Sequence, residues 1–227
     1  MTQRTYSILH IEDDSLWQTV IAAALRGWPR TGQLQSASTA SDGLAVATAL
    51  RPDIVLLDLG LPDADGSELA RDLLLSARPP RVVIVSVRRD SAVLHTASEP
   101  HIAGLLWKAG DLIQQLPIAL EAVAAGAKYY PPDVRAALRR FRADPQAFFK
   151  LLSPREVALL PHFARAEKDG EIAAALGVSE HTARAHRRNV MQKLDLHTSA
   201  RLTHWAIVHG FGFLPRSSAS RADAGPV

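Results

Sequence analysis

Short apolar runs separated by stretches of helical period fill the first half of the chain. The runs lie at 7–11, 54–57, 82–85 and 104–107, with a weaker one at 33–37. Each is apolar at consecutive rather than alternate positions, a pattern that predicts strands covered on both faces. Segments of helical period near 15–27, 40–50, 66–77, 90–98 and 117–125 complete five βα units. Such an alternation predicts an α/β doubly wound domain of flavodoxin-like order over residues 1–126.

The pattern then changes. Residues 127–150 carry Pro131-Pro132 and Arg139-Arg140-Phe141-Arg142 with irregular spacing, which reads as a linker with one helix. Helical segments without strands follow near 154–166, 171–176, 180–194 and 199–209, so a second, all-α domain is expected over 151–213. Residues 214–227, rich in Ser, Ala and Gly, have no periodicity and are expected to be a disordered tail.

Composition adds constraints to this outline. With 47% hydrophobic and 22% charged residues the chain can bury ordinary cores. The absence of cysteine excludes disulfides, thiolate metal sites and cysteine nucleophiles. No apolar run reaches the roughly 18 residues that suggest a bilayer span, and the first residues lack the apolar core of a signal peptide, so a cytoplasmic protein without membrane association is expected. The net charge of +3 is a remainder. Residues 1–125 hold 10 Lys and Arg against 14 Asp and Glu, and residues 126–227 hold 16 against 9. The acidic first half and basic second half suggest separate tasks, with polyanion binding assigned to the second.

In open parallel sheets, ligands bind beyond the carboxyl ends of the strands. The first strand runs into Glu12-Asp13-Asp14, the third into Asp58, the fourth into Ser86 and the fifth into Lys108. Clustered carboxylates repel one another and invite a hard divalent cation such as Mg2+. Asp58 can serve as a nucleophile that forms an acyl phosphate. Lys108 would supply a cation, Ser86 a hydroxyl donor and the Gly60 carbonyl a further metal ligand, the parts that phosphoryl transfer requires.

The stretch 8–14, the segment Leu57-Asp58-Leu59-Gly60-Leu61-Pro62-Asp63-Ala64-Asp65-Gly66, Ser86 and Lys108 together resemble the receiver domain of bacterial response regulators. The resemblance implies phosphorylation of Asp58 by a partner sensor histidine kinase. It also implies Mg2+ held by Asp13, Asp58 and the Gly60 carbonyl, assisted by Glu12. The family's aromatic switch position falls on Leu105, Val87 is bulkier than the residue usual after the Ser, and His101-Ile102 replaces the usual Gly-Ala. These departures raise an alternative, a phosphorylation-independent regulator whose receiver serves for dimerisation or ligand sensing.

In the second half, Ser153-Pro154-Arg155-Glu156 combines an N-cap, a first-turn proline and a capping box. Gly177 ends one short helix and Ser179 caps the next, the outline of a helix-turn-helix. On helix 180–194 the period places Ala183, Val190 and Leu194 on a buried face and His181, Arg184, Ala185, Arg188 and Gln192 opposite. Arg187 flanks the exposed face on one side, with Thr182, Asn189 and Lys193 on the other. The arginines at its centre suit base edges and the flanks suit phosphates.

Residues 152–211 resemble the LuxR-type DNA-binding domain of the NarL/FixJ response regulators, through Glu171-Ile172-Ala173, Leu176-Gly177-Val178-Ser179, 182–186 and 189–194. That resemblance implies binding of double-stranded DNA by helix 180–194 and a homodimer formed through the last helix when active. The nine histidines lack the spacing of a zinc set, and no Gly-x-Ser-x-Gly elbow supports a hydrolase. A transcriptional regulator rather than an enzyme is expected; a Mg2+-dependent phosphatase using Asp58 is the weaker reading because no second general acid is evident near it.

Overall fold

A computed structural model of the chain describes residues 4–212; the expected tail lies outside them. In chain order the α/β part comprises β1 (Tyr6–Ile11), α1 (Ser15–Gly27), β2 (Thr31–Ala37), α2 (Ala40–Leu50), β3 (Ile54–Leu57), α3 (Gly66–Leu74), β4 (Arg81–Ser86), α4 (Ser91–Ser98), β5 (Ile102–Trp107) and α5 (Leu112–Ala124). Seven helices come after it among the described residues: α6 (Pro132–Ala143), α7 (Phe148–Leu151), α8 (Pro154–Val157), α9 (Leu160–Ala164), α10 (Asp169–Leu176), α11 (Glu180–Lys193) and α12 (Ser199–Val208). The sheet order is β2-β1-β3-β4-β5, the flavodoxin-like arrangement.

By compactness the described residues divide at Val82–Val83. The first unit contains the start of the sheet. There β1 pairs in parallel with β2, Ile8 opposite Leu34, and with β3, Ile8 opposite Ile54. Ile54, Val55, Leu56 and Leu57 are all fully buried, as a strand covered on both faces requires. Asp14 caps α1 by accepting from the amides of Leu16 at 2.8 Å and Trp17 at 3.3 Å, which starts the helix just beyond the acidic triplet.

The second unit begins at Val83 and takes in α4, β5, α5 and the helices after them. The segment 127–150 is more ordered than a linker with one helix. After α5 the chain returns alongside β5, with the Tyr129 amide donating to the Ala103 carbonyl at 2.8 Å. A Cβ on Gly104 would stand 2.7 Å from the Tyr129 carbonyl oxygen, so only glycine permits this approach. Val134, Leu138 and Phe141 then form the buried stripe of α6, and α7 inserts Phe148 into an aromatic group. Phe148 lies 5.1 Å from Phe211, 5.0 Å from His95 on α4 and 6.2 Å from Trp205 on α12, ring centre to ring centre.

Two helices differ from expectation at prolines. The segment 154–166 divides into α8 and α9, and Pro161 in the first turn of α9 accounts for the break: it lacks the N–H that would continue the helix from Val157. Conversely α5 begins at Leu112, five residues before its expected start, and carries Pro117 inside it.

At the junction of β4 and α4, Arg88 is held by Asp90 through Nε at 2.9 Å and Nη2 at 3.2 Å. The same Nη2 donates to the Gly210 carbonyl, and the Ala92 amide donates to the His209 carbonyl at 3.0 Å. Gly210 has φ of +90°, and a Cβ there would fall 2.0 Å from Asp90 Oδ1.

Candidate functional site

The carboxylates of Glu12, Asp13 and Asp58 come together in the first unit. One oxygen from each lies within 4.8 Å of the others. Glu12 is fully buried, Asp58 nearly so, and Asp13 half-exposed. Their closeness arises from the register: Ile11 is opposite Leu57, so the residues after β1 and β3 emerge side by side. The Asp58 amide donates to the Ile11 carbonyl at 2.9 Å and locks this alignment. Three oxygen donors so arranged suit a hard cation better than a soft one, and the donor set therefore fits Mg2+.

The loop after Asp58 turns back on itself. The Gly60 amide donates to Asp58 Oδ1 at 3.2 Å, Gly60 and Asp65 form an antiparallel bridge, and the Gly66 amide donates to the Leu59 carbonyl at 3.2 Å. A Cβ on Gly66 would stand 2.5 Å from the Asp58 carbonyl oxygen and 2.6 Å from Leu59 Cα. Asp63, near the tip of this loop, accepts from the amides of Ala40 at 2.7 Å and Ser41 at 2.9 Å. Sequence reasoning passed over this contact because it joins residues 22 and 23 positions apart.

In the second unit, Ser86 ends β4 fully buried, and its Oγ accepts from the Arg88 amide at 3.1 Å. Lys108 follows β5, with its amide donating to the Ser86 carbonyl at 2.9 Å. Leu105 is fully buried in β5.

The helix-turn-helix is α10, a left-handed turn at Gly177 (φ +63°) and α11. Ser179 caps α11 by accepting from the Thr182 amide at 3.1 Å. Ala183 and Val190 are buried as expected, whereas Leu194 is half-buried because it sits at the helix end. His181, Arg184, Arg188, Asn189 and Gln192 are exposed, and Thr182 is half-buried.

Two basic residues expected to contact phosphate also have framework partners. Arg187 is 12% exposed and donates to Asp169 Oδ1 at 2.7 Å, with its guanidinium 4.8 Å from the Phe163 ring centre. It also donates to the Glu167 carbonyl at 2.6 Å. Lys193 pairs with the buried Glu156 at 2.7 Å. Both cations compensate carboxylates of the fold, which leaves less of their hydrogen-bonding capacity for a phosphate. Arg184 is mostly exposed and bound to Glu180 at 2.6 Å and Asp169 at 3.4 Å. Asp169 was not singled out from sequence; an acidic first-turn residue is common, and its two arginine partners lie on another helix.

A flavodoxin-like sheet with three carboxylates gathered at the ends of β1 and β3, followed by a helix-turn-helix, defines a receiver joined to a regulatory module. The comparisons agree: residues 8–121 match the response regulator receiver domain and residues 150–206 match the bacterial regulatory proteins of the luxR family. The chain belongs to the response regulator receiver family, in the NarL/FixJ arrangement with a LuxR-type helix-turn-helix domain.

Among curated proteins it is similar to the response regulator GacA of Pseudomonas aeruginosa, 28% identical over 206 residues, covering 89% of this chain and 96% of that one. It is likewise similar to the response regulator UvrY of Escherichia coli K12, 25% identical over 207 residues, covering 90% and 94%. The fold matches that of RcsB from Salmonella enterica serovar Typhimurium bound to promoter rprA in the presence of the phosphomimetic BeF3−. That match has a TM-score of 0.65 at 20% identity and covers 89% of this chain and 99% of that one. Among the described residues no helix is long and apolar enough to cross a membrane.

Proposed function

We propose that this protein is a two-component transcriptional regulator in which Asp58 receives a phosphoryl group from a sensor histidine kinase. The observation that carries the reading is the Glu12–Asp13–Asp58 cluster, with its oxygens within 4.8 Å. An Asp58 carboxylate oxygen forms the bond to phosphorus as the donor's P–N bond breaks, and the electron pair leaves with the donor imidazole. Glu12, Asp13, Asp58 and the Gly60 carbonyl would hold Mg2+, which neutralises charge on the phosphoryl oxygens when bound. In the same proposal Lys108 contributes a cation and Ser86 a hydroxyl donor to those oxygens.

The output is double-stranded DNA, read by α11 from a homodimer. His181, Thr182, Arg184, Arg188 and Asn189 are the proposed contacts, with Arg188 central. RcsB in complex with promoter DNA supports this reading by analogy of fold. The test combines mass spectrometry of the protein after incubation with acetyl phosphate and Mg2+ with selection of bound genomic fragments in each state. Asp58 is expected to be modified, Asp58→Asn is not, and the phosphorylated form enriches a defined set of fragments. Absence of any modification at Asp58 sinks the phosphoacceptor reading.

One observation favours a second reading. Leu105, fully buried in β5, offers neither a hydroxyl nor a ring at the family's switch position. A receiver that acts without phosphorylation, as a platform for dimerisation or ligand sensing, accounts for this. Under that reading Asp58→Ala leaves DNA binding unchanged whether or not a phosphodonor is present.

A further inference from the structure

The loop between Asp58 and α3 supplies the Gly60 carbonyl to the proposed cation site; Leu59 and Leu61 on either side of Gly60 are buried, while the tip of the loop beyond them reaches the surface. Its base is closed by the Gly60–Asp65 bridge and by the Gly66 amide on Leu59. Beyond the base, Pro62 lacks an amide proton and Ala64 has a small side chain. The distal anchor is Asp63, whose two carboxylate oxygens accept separately from the first two amides of α2, Oδ1 from Ala40 and Oδ2 from Ser41.

Those amides belong to the group that a helix cannot satisfy internally. The helix's own N-cap, Thr39, accepts from the third, Asp42, at 3.0 Å. The first turn of α2 is therefore completed only by a residue from the acceptor loop. This is a charge-assisted pair of hydrogen bonds, stronger than neutral ones.

We propose that Asp63 is a positioning residue for the cation site: by clamping the acceptor loop to α2 it holds Gly60 at the distance and angle its carbonyl needs to serve as a ligand. The inference rests on the reading of Asp58 as a Mg2+-dependent phosphoacceptor. Gly43 gives α2 a fixed seat, because a Cβ there would fall 2.7 Å from Ile11 Cδ1 of β1. The clamp thus ties the loop to the strand from which Glu12 and Asp13 emerge. The Asp63 carboxyl, although exposed, is held below its ordinary pKa: what desolvation it has works the other way, and the amide bonds from Ser41 and Ala40 outweigh it. Asp63 remains ionised, and the clamp intact, at neutral pH.

The test is calorimetric titration of the full-length protein with Mg2+ in the absence of any phosphodonor. Amide hydrogen exchange at Ala40 and Ser41 is measured alongside. Asp63→Ala is expected to weaken Mg2+ binding about threefold to tenfold, less than the tenfold to hundredfold typical of a group bonded directly to a ligand, and to speed exchange at both amides. Asp63→Asn keeps an acceptor oxygen for one amide and restores part of the affinity, and it carries the test alone if the Ala variant does not fold. Glu68→Gln removes a nearby exposed charge without touching the clamp and should stay within about twofold of wild type, as expected for a screened surface charge.

Wild-type affinity in both Asp63 variants overturns the clamp, as does an equal loss in Glu68→Gln, since charge rather than position would then explain it. If the wild-type protein takes up neither Mg2+ nor a phosphoryl group, the phosphoacceptor reading fails first and the clamp fails with it. That outcome is distinct from a wild type that binds and variants that bind equally well.

Discussion

The Lys193 ammonium lies 2.7 Å from Glu156 Oε2, and the same carboxylate oxygen accepts from the Ser153 amide at 2.7 Å. One carboxylate, almost wholly buried, therefore closes the capping box of α8 and anchors the end of α11. Lys193→Ala removes one of these two supports and leaves a buried acceptor short of a partner. A loss of about 1 to 2 kcal/mol is expected, at the low end for a charged group because Lys193 is itself part-exposed. Chemical denaturation of the two proteins measures it. DNA affinity of the folded variant should change less than that of Arg188→Ala.

The same pair gives the fold an acid limit. Burial alone would raise the Glu156 pKa, but the hydrogen bonds from Lys193 and Ser153 outweigh it and hold the carboxyl below its ordinary 4.5. A group whose pKa is depressed on folding stabilises fully above the unfolded value and ceases to do so as pH falls through the folded one. Glu156→Gln should therefore cost stability at pH 7, and the gap in melting temperature from wild type should narrow below about pH 4.5. A gap constant from pH 7 to pH 3 contradicts the assignment.

On the exposed face of α11, Arg188 has no ion pair among the described residues, whereas Arg184 must give up Glu180 and Asp169 to reach a base. Arg188→Ala is expected to cost about 1 to 3 kcal/mol of specific binding and to relax preference at one position of the operator. Arg184→Ala should cost less, because the released carboxylates partly offset what is lost. Titration of labelled duplexes containing single-base changes separates the two.

Gly66→Ala tests whether the acceptor loop can tolerate a side chain. The added Cβ would stand 2.5 Å from the Asp58 carbonyl oxygen, so the loop must shift. Phosphoryl incorporation from acetyl phosphate should fall severalfold although no reacting group is removed, in keeping with the steep dependence of such chemistry on placement. Quantitative mass spectrometry at Asp58 gives the answer.

The sheet and its acidic strand ends were legible because consecutive apolar residues admit few arrangements: β3 is buried at every position, and parallel pairing sets Asp58 beside the residues that leave β1. Helix-turn-helix punctuation was legible too, since Gly177 and Ser179 act through the backbone at their own positions. The stripe Val134, Leu138, Phe141 that organises α6 has ordinary helical spacing, but Pro131-Pro132 and the arginines around Phe141 drew the reading toward a linker. Residue spacing could not reveal partnerships across the chain. The helical wheel placed Arg187 on a flank; Asp169, from α10, turns it into the framework. Asp63, read only as part of the segment 57–66, caps a helix that starts more than twenty residues away.

Gly210 carries a different consequence. Its carbonyl receives Arg88, the adjacent His209 carbonyl receives the Ala92 amide, and Phe148 touches rings from α4 and from Phe211 just beyond α12. The boundaries suggested by the two family matches therefore cut through packed side chains rather than a tether. A chimera that grafts this output module through Gly210 onto another receiver leaves the Gly210 backbone with no arginine to meet it, and one joined before Phe148 also inherits an uncovered Phe148. In this protein the exchangeable cassette is not the module that the sequence families outline, and a functional graft must carry α4 and the loop before it along with the helices.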